Sequence, residues 1–90
     1  MMWRVISAHA LHFRSWEDGF IVYNSLSGDT HLLGSSAAHV LLKLQETPAN
    51  AALLASSLAP LMQAEMDEEF VSQIDQLLAD LGNLALIERS

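Results

Sequence analysis

Residues 19–44 read GFIVYNSLSGDTHLLGSSAAHVLLKL, and the elements after them are expected to pack on this segment. Residues 20–23 are β-branched or aromatic, which is typical of a half-buried strand. Gly28 stands in a Ser-Gly-Asp sequence that predicts a turn, because glycine adopts positive φ without strain. A second short apolar run precedes Ser35 and Ser36, either of which can cap a helix. The stretch therefore predicts a strand, a turn, a second strand and a helix.

The residues before this stretch predict further extended structure. Residues 3–6 form a short candidate, either an edge strand or a terminal arm. Residues 11–16 alternate, so that Leu11 and Phe13 share the face that we expect to be buried. Glu17-Asp18-Gly19 is a hairpin turn signal of the Asp-Gly type. We expect an antiparallel three-stranded meander with its last strand at an edge, comprising strands near 11–16, 20–24 and 30–33.

Three helices are expected after the meander. The first spans about 36–46, where apolar residues recur at helical spacing. The second runs from Pro48 to about Leu58, with Thr47 as N-cap, and its apolar face is expected to continue through Leu61 and Met62.

Asp67 is predicted to cap the third helix, which spans 67–81 and has an amphipathic face that includes Leu77 and Leu81. Gly82-Asn83 is the expected stop, and residues 84–88 are expected to form a short closing strand. The order of elements predicts a single α+β domain, 1–90, of winged-helix-like architecture.

The composition bounds the function. The formal net charge is −7, and only Arg4, Arg14, Lys43 and Arg89 are reliably positive. Binding to nucleic acid or to an anionic membrane needs clustered positive charge, which this chain lacks. Neither partner is therefore expected. Basic peptides or basic protein faces are the electrostatically favoured partners. The first sixteen residues lack the pattern of a signal peptide and no apolar run approaches about 20 residues, so a cytoplasmic location is expected.

No arrangement of residues predicts catalysis or a cofactor. The chain has no cysteine, which excludes disulfides and thiolate chemistry. His9 and His12 form the only close histidine pair, and on a strand they would point to opposite faces, so a metal site is not expected. The acidic run at 67–69 is better explained as a helix start than as an acid–base pair. We expect no enzymatic activity, no metal and no cofactor.

The motifs Trp16-Glu17-Asp18-Gly19, Val22-Tyr23-Asn24 and the run from Ser27 to Leu33 carry a resemblance to a known family. From about Trp3 to Glu88, the chain resembles the PqqD-like peptide chaperones, also called RiPP recognition elements. It is most similar to the short members labelled HPr-rel-A system PqqD family peptide chaperones. The chain departs from many members by having only the short segment 63–66 before the third helix, so the identity of the peptide cargo does not carry over.

The resemblance implies a peptide-binding site. In that family a leader or substrate peptide pairs with the third meander strand and lies in a groove against the third helix. Carried over, the strand residues are Thr30, His31, Leu32 and Leu33. The groove-facing helix residues would be Gln73, Gln76, Leu77, Asp80 and Leu81, although the periodicity alone favours a core position for Leu77 and Leu81.

Two hypotheses follow. The first is a non-enzymatic adaptor that binds a precursor peptide by strand addition and presents it to a modifying enzyme. The alternative is a winged-helix structural or regulatory module in which a homodimer covers the strand edge. Oligomeric state discriminates between them, since a tight dimer that buries residues 30–33 would occupy the predicted site.

Overall fold

A sheet precedes the helices in the chain, as the hydrophobic pattern predicts. The computed structural model describes residues 2–7, 9–17 and 19–89, with Trp16 described by its backbone. Within these residues the elements are β1 (Trp3–Val5), β2 (Leu11–Trp16), β3 (Gly19–Asn24), β4 (Asp29–Gly34), α1 (Ser35–Glu46), α2 (Ala51–Leu58), α3 (Glu68–Asn83) and β5 (Ile87–Arg89). The α+β class, the three-stranded antiparallel meander, the three helices and the short closing strand are confirmed.

The meander has β3 at its centre and β4 at one edge. Phe13, Val22 and His31 lie opposite one another across the three strands. Leu11, Val22 and Leu33 point to the buried face, and the intervening positions point away from it. Gly28 has the predicted positive φ, 79°, in the turn between β3 and β4.

The other hairpin differs from the prediction at one residue. Gly19 is not a turn residue but the first residue of β3, where it pairs with Trp16 and with Gly34. The connection between β2 and β3 is therefore only two residues long, Glu17 and Asp18. Asp18 lies outside the described residues, and Glu17 has a φ of 47°.

β1 does not join the meander. It pairs antiparallel with β5, so that Arg4 lies opposite Glu88, and the two side chains form an exposed ion pair at 3.2 Å. β1 also bridges to the segment between α1 and α2. The backbone N–H of Trp3 donates to the Ala49 carbonyl at 2.8 Å, and that of Ala49 donates to the Trp3 carbonyl at 3.0 Å. β1 and β5 are thereby held beside the helices.

One hydrophobic core joins the sheet to all three helices. The inner face of β3 and β4 packs on α1, and α3 packs on α2, α1 and β5. The largest apolar side chains that are fully buried are Val22, Val40, Leu41, Leu44, Leu54, Leu58, Ile74, Leu78, Leu81 and Leu86. Within the part of the chain that the structure describes, the helices cover one face of the sheet only, and the other face is open.

Two helix starts were predicted wrongly. α1 is capped by Gly34 rather than by Ser35 or Ser36, and no side chain supplies a cap hydrogen bond there. α2 begins at Ala51, with Asn50 as N-cap and its side-chain oxygen accepting from the Leu53 N–H at 2.9 Å. It does not begin at Pro48, because Ala49 is held extended by its bridge to Trp3.

The end of α2 is close to the prediction, but the apolar face stops sooner. The helix ends at Leu58, two residues before Pro60, as expected of a proline that cannot donate an N–H. Met62 packs against the core, whereas Leu61 is 63% exposed, so its predicted place on the buried face was wrong.

α3 begins as predicted and ends later. The Asp67 side chain accepts from the Phe70 N–H at 2.8 Å, which confirms Asp67 as the N-cap. Gly82 and Asn83 do not stop the helix but form its last residues, and β5 follows at Ile87. None of the helices in the described ranges is both long and apolar enough to cross a membrane.

Candidate functional site

The predicted strand of the site is an edge strand. β4 pairs with β3 on one side, and among the described strands it has no neighbour on the other. An edge strand keeps a row of backbone N–H and C=O groups free to pair with an added strand. Thr30 and Leu32 are exposed on the open face of the sheet, and Leu32 is 69% exposed. The backbone and the outward side chains of β4 are therefore accessible.

The other two strand residues point inward. Leu33 is 6% exposed and belongs to the core, so it supports β4 from beneath. His31 is half-buried opposite Val22, and its Nε2 is inaccessible to solvent and has no hydrogen-bond partner among the described atoms. Buried polar atoms without a partner are uncommon and carry a desolvation cost. Because side chains alternate along β4, Thr30 and Leu32 are accessible to a partner, whereas His31 and Leu33 point to the inner face of the sheet.

The helix residues divide in the same way. Gln73, Gln76 and Asp80 are exposed on one flank of α3, and the Gln76 Nε2 donates to the Asp80 Oδ1 at 3.1 Å. Leu77 is half-buried and packs against the core. Leu81 is 1% exposed, so its side chain is a core side chain and not a groove wall. The accessible part of this flank is a polar row bordered by Leu77.

The strand and the helix of the predicted site do not pack closely on each other. The elements packed most closely on α3 are α2, α1 and β5, whereas β4 packs on β3 and α1. Leu33 of β4 and Leu81 of α3 belong to the same hydrophobic cluster. α1 therefore stands between the strand and the helix as their common support.

The start of α3 carries a depression that was not predicted. Its volume is about 590 Å³, and it is lined by Met66, Asp67, Glu68, Val71, Ser72 and Asp75. Met66 precedes the N-cap and Val71 is the fourth helical residue, which are the positions of a hydrophobic staple. That spacing could have been found in the sequence. On the neighbouring flank, Gln73 lines a smaller depression of about 220 Å³ with Ala64, Glu65, Asp67, Glu69 and Phe70.

Negative charge is concentrated on α3 and the residues before it. Residues 65–80 include Glu65, Asp67, Glu68, Glu69, Asp75 and Asp80, and no lysine or arginine. The carboxylates are on exposed residues, where charge acts at a distance on an approaching partner more than on stability. Among the described residues, no three histidine, aspartate or glutamate side chains are grouped so that they could hold a metal ion.

Comparison with known proteins gives no relative: no family model matches the chain, and no curated protein or solved structure matches it significantly.

Proposed function

We propose that this protein is a non-enzymatic adaptor that binds a precursor or substrate peptide by strand addition and presents it to a modifying enzyme. The observation that carries the proposal is the position of β4 at the edge of the sheet, with Thr30 and Leu32 exposed beside a backbone edge that pairs with no other described strand. A peptide that pairs with β4 would become the fourth strand of the meander. Backbone hydrogen bonds would supply affinity, and the alternating side chains of the peptide would supply specificity.

The charge of α3 favours a basic peptide. The run of carboxylates from Glu65 to Asp80 lies on α3 and just before it, and in the PqqD-like family this helix forms the second wall of the peptide site. Positive residues in the peptide would be steered towards this flank, and the amides of Gln73 and Gln76 offer additional hydrogen bonds. The resemblance to PqqD-like peptide chaperones supports the same function, in the cytoplasm.

A homodimer is the alternative occupant of the edge. Leu32 is both exposed and apolar, a combination that edge strands usually avoid unless something covers them. In that case the chain would be a winged-helix-like structural or regulatory module. Sedimentation velocity over a concentration series distinguishes the two, because a tight dimer that buries β4 would leave no edge for a peptide.

The test is a titration of ¹⁵N-labelled protein with synthetic peptides copied from short open reading frames near its gene. Strand addition predicts saturable amide shifts in β4 and on the Gln73–Asp80 flank of α3. A scan of the bound peptide with backbone N-methylation adds a sharper criterion. Because alternate N–H groups of a strand face its neighbour, methylation should abolish binding at every second position and spare those between.

Binding that is insensitive to N-methylation, or shifts that avoid β4, would reject strand addition. A stable dimer that protects residues 30–33 from hydrogen exchange and binds no peptide would instead favour the dimerisation module.

A further inference from the structure

The open face of the meander is a second surface with its own chemistry. His12 and Arg14 of β2, Ile21 and Tyr23 of β3, and Leu32 of β4 point to the side of the sheet that the helices do not cover. Leu32 is 69% exposed and Tyr23 is 42% exposed. Contiguous exposed apolar side chains on a small domain usually mark an interaction surface.

The charge of this face is opposite to that of the whole protein. None of the outward positions in the described strands β2, β3 and β4 holds aspartate or glutamate, although the protein has a net charge of −7. Arg14 stands directly opposite Ile21, which in turn stands opposite Leu32. Within the described part of the chain, the ion pairs join Arg4 to Glu88 and Lys43 to Glu46, and Arg14 takes part in neither.

The next row is aromatic. His12 lies opposite Tyr23, with ring centroids 6.0 Å apart, and Tyr23 lies opposite Thr30. Tyrosine and arginine are enriched in the centres of protein interfaces, where they combine large contact area with directional polar groups. The face therefore offers an apolar strip that reaches the β4 edge, an aromatic pair, and the Arg14 guanidinium on β2, two strands or about 10 Å from β4.

We propose that the open face binds an acidic, apolar surface of a second protein, of the kind presented by an amphipathic helix with carboxylates beside its apolar stripe. A second copy of this chain fits poorly. A two-fold interface places the same patch on both partners, so Arg14 would meet a face whose outward strand positions hold no carboxylate, and two chains that each carry −7 would be brought together. An acidic helix would instead pack leucines on Ile21 and Leu32 and place a carboxylate at Arg14.

The inference rests on the proposed adaptor function for the identity of the partner, which would be the modifying enzyme. Its geometry suits that role. A peptide added to β4 would extend the same sheet, so every second side chain of the peptide would emerge on the open face beside Leu32. An enzyme bound to the open face would therefore contact the side chains of the peptide that is paired with β4.

The test uses synthetic helical peptides of about 18 residues, or roughly five turns, with leucine at helical spacing. One version has glutamate beside the leucine stripe and the other has lysine at the same positions. We expect the glutamate peptide to bind the ¹⁵N-labelled full chain with shifts centred on residues 12, 14, 21, 23 and 32, and the lysine peptide to bind more weakly there.

Arg14→Gln and Lys43→Gln are matched variants, because each removes one positive charge and Lys43 lies on α1. Arg14→Gln should weaken binding of the glutamate peptide by about two- to fivefold, whereas Lys43→Gln should not. Arg14→Glu should reverse the preference towards the lysine peptide.

Equal binding of the two peptides, or an equal effect of the two variants, would overturn the inference. So would shifts of the same amides with protein concentration alone, since the occupant would then be a second copy. Peptide addition at β4 is measured in a separate titration, so failure here does not decide the proposed function.

Discussion

Leu86 donates its backbone N–H to the carbonyl oxygen of Leu81, five residues earlier, at 3.1 Å. Ala85 between them donates to the Gly82 carbonyl at 3.0 Å and has a φ of 59°. These two bonds form the Schellman motif that closes α3, with alanine at the left-handed position that glycine usually occupies. The strained residue is thus the alanine, and the nearby glycine is not the cap.

Ala85→Gly is therefore expected to stabilise the protein. Relief of the left-handed strain, less the extra entropy of glycine in the unfolded chain, should raise the free energy of unfolding by about 1 kcal/mol. Urea denaturation followed by circular dichroism measures the change. Ala79→Gly is the matched control, because Ala79 is an exposed interior residue of α3. It should lower stability by about 1 kcal/mol, and a loss with both variants would contradict this account of the cap.

Gly82 shows why the end of this helix was predicted wrongly. A Cβ at residue 82 would lie 3.1 Å from the Trp3 ring, so this glycine serves the packing of β1 and not the helix stop. The start of α2 was predicted wrongly at Thr47-Pro48 for a related reason, since Ala49 is bridged to Trp3, which lies far earlier in the chain. Local signals such as Asp67 were sufficient where a side chain caps its own helix, and they failed where a partner distant in sequence held the backbone.

For the candidate site, the sequence predicts which positions are exposed and which are buried, but not how the elements pack. The pleat of β4 and the periodicity of α3 identify which positions are accessible, so Thr30, Leu32 and Gln76 are found on the surface. The same periodicity favoured a core position for Leu81, which is where it lies. What the sequence did not show is that α1 lies between the strand and the helix, because packing partners depend on the whole fold.

Gly19 is required by the close approach of β4. A Cβ at residue 19 would stand 2.6 Å from the carbonyl oxygen of Leu33, a backbone atom that cannot move without disturbing the sheet. Gly19→Ala should therefore lower the free energy of unfolding by about 1–3 kcal/mol. Gly34, its cross-strand partner, has nothing within 4 Å of its Cβ position and an extended backbone, with φ −67° and ψ 165°.

Gly34→Ala is the control for that prediction. It should change the free energy of unfolding by no more than about 0.5 kcal/mol, because the lost cap preference and the reduced entropy of the unfolded chain nearly offset each other. Thermal unfolding of the two variants side by side gives the comparison. Equal destabilisation of the two variants would contradict this account. It would mean that this end of the sheet requires glycine for a reason other than the contact with Leu33.

Asp67 is expected to contribute to stability through its side-chain acceptor. Asp67→Ala removes the 2.8 Å bond to the Phe70 N–H and should lower the free energy of unfolding by about 0.5–2 kcal/mol. Asp67→Asn keeps an acceptor oxygen and loses only the charge, so it should retain most of the stability. If the asparagine variant were as unstable as the alanine variant, interaction of the charge with the helix dipole would be the larger contribution. Guanidinium denaturation is unsuitable for this measurement because its ionic strength screens that charge, and urea is preferred.

A bound peptide would lie along one flank of α3. Asp80 and Asp75 are both exposed and belong to the same helix, but five residues place them about 140° apart around its axis. Asp75 lines the depression at the helix start, whereas Asp80 extends the row of Gln73 and Gln76. Asp80→Asn should weaken the binding of a basic peptide about two- to fivefold. Asp75→Asn should weaken it less, although both substitutions remove one negative charge.

Isothermal titration at low and at moderate salt provides the measurement. The difference between the two variants should shrink as salt rises, since the Debye length falls to about 10 Å at 0.1 M. Equal losses for Asp75→Asn and Asp80→Asn would mean that the peptide responds to the net charge of α3 and not to one flank. A larger loss of affinity for Asp75→Asn would place the peptide's positive charge at the depression beside Met66 and Val71. The preference for a basic peptide would then not depend on strand pairing at β4.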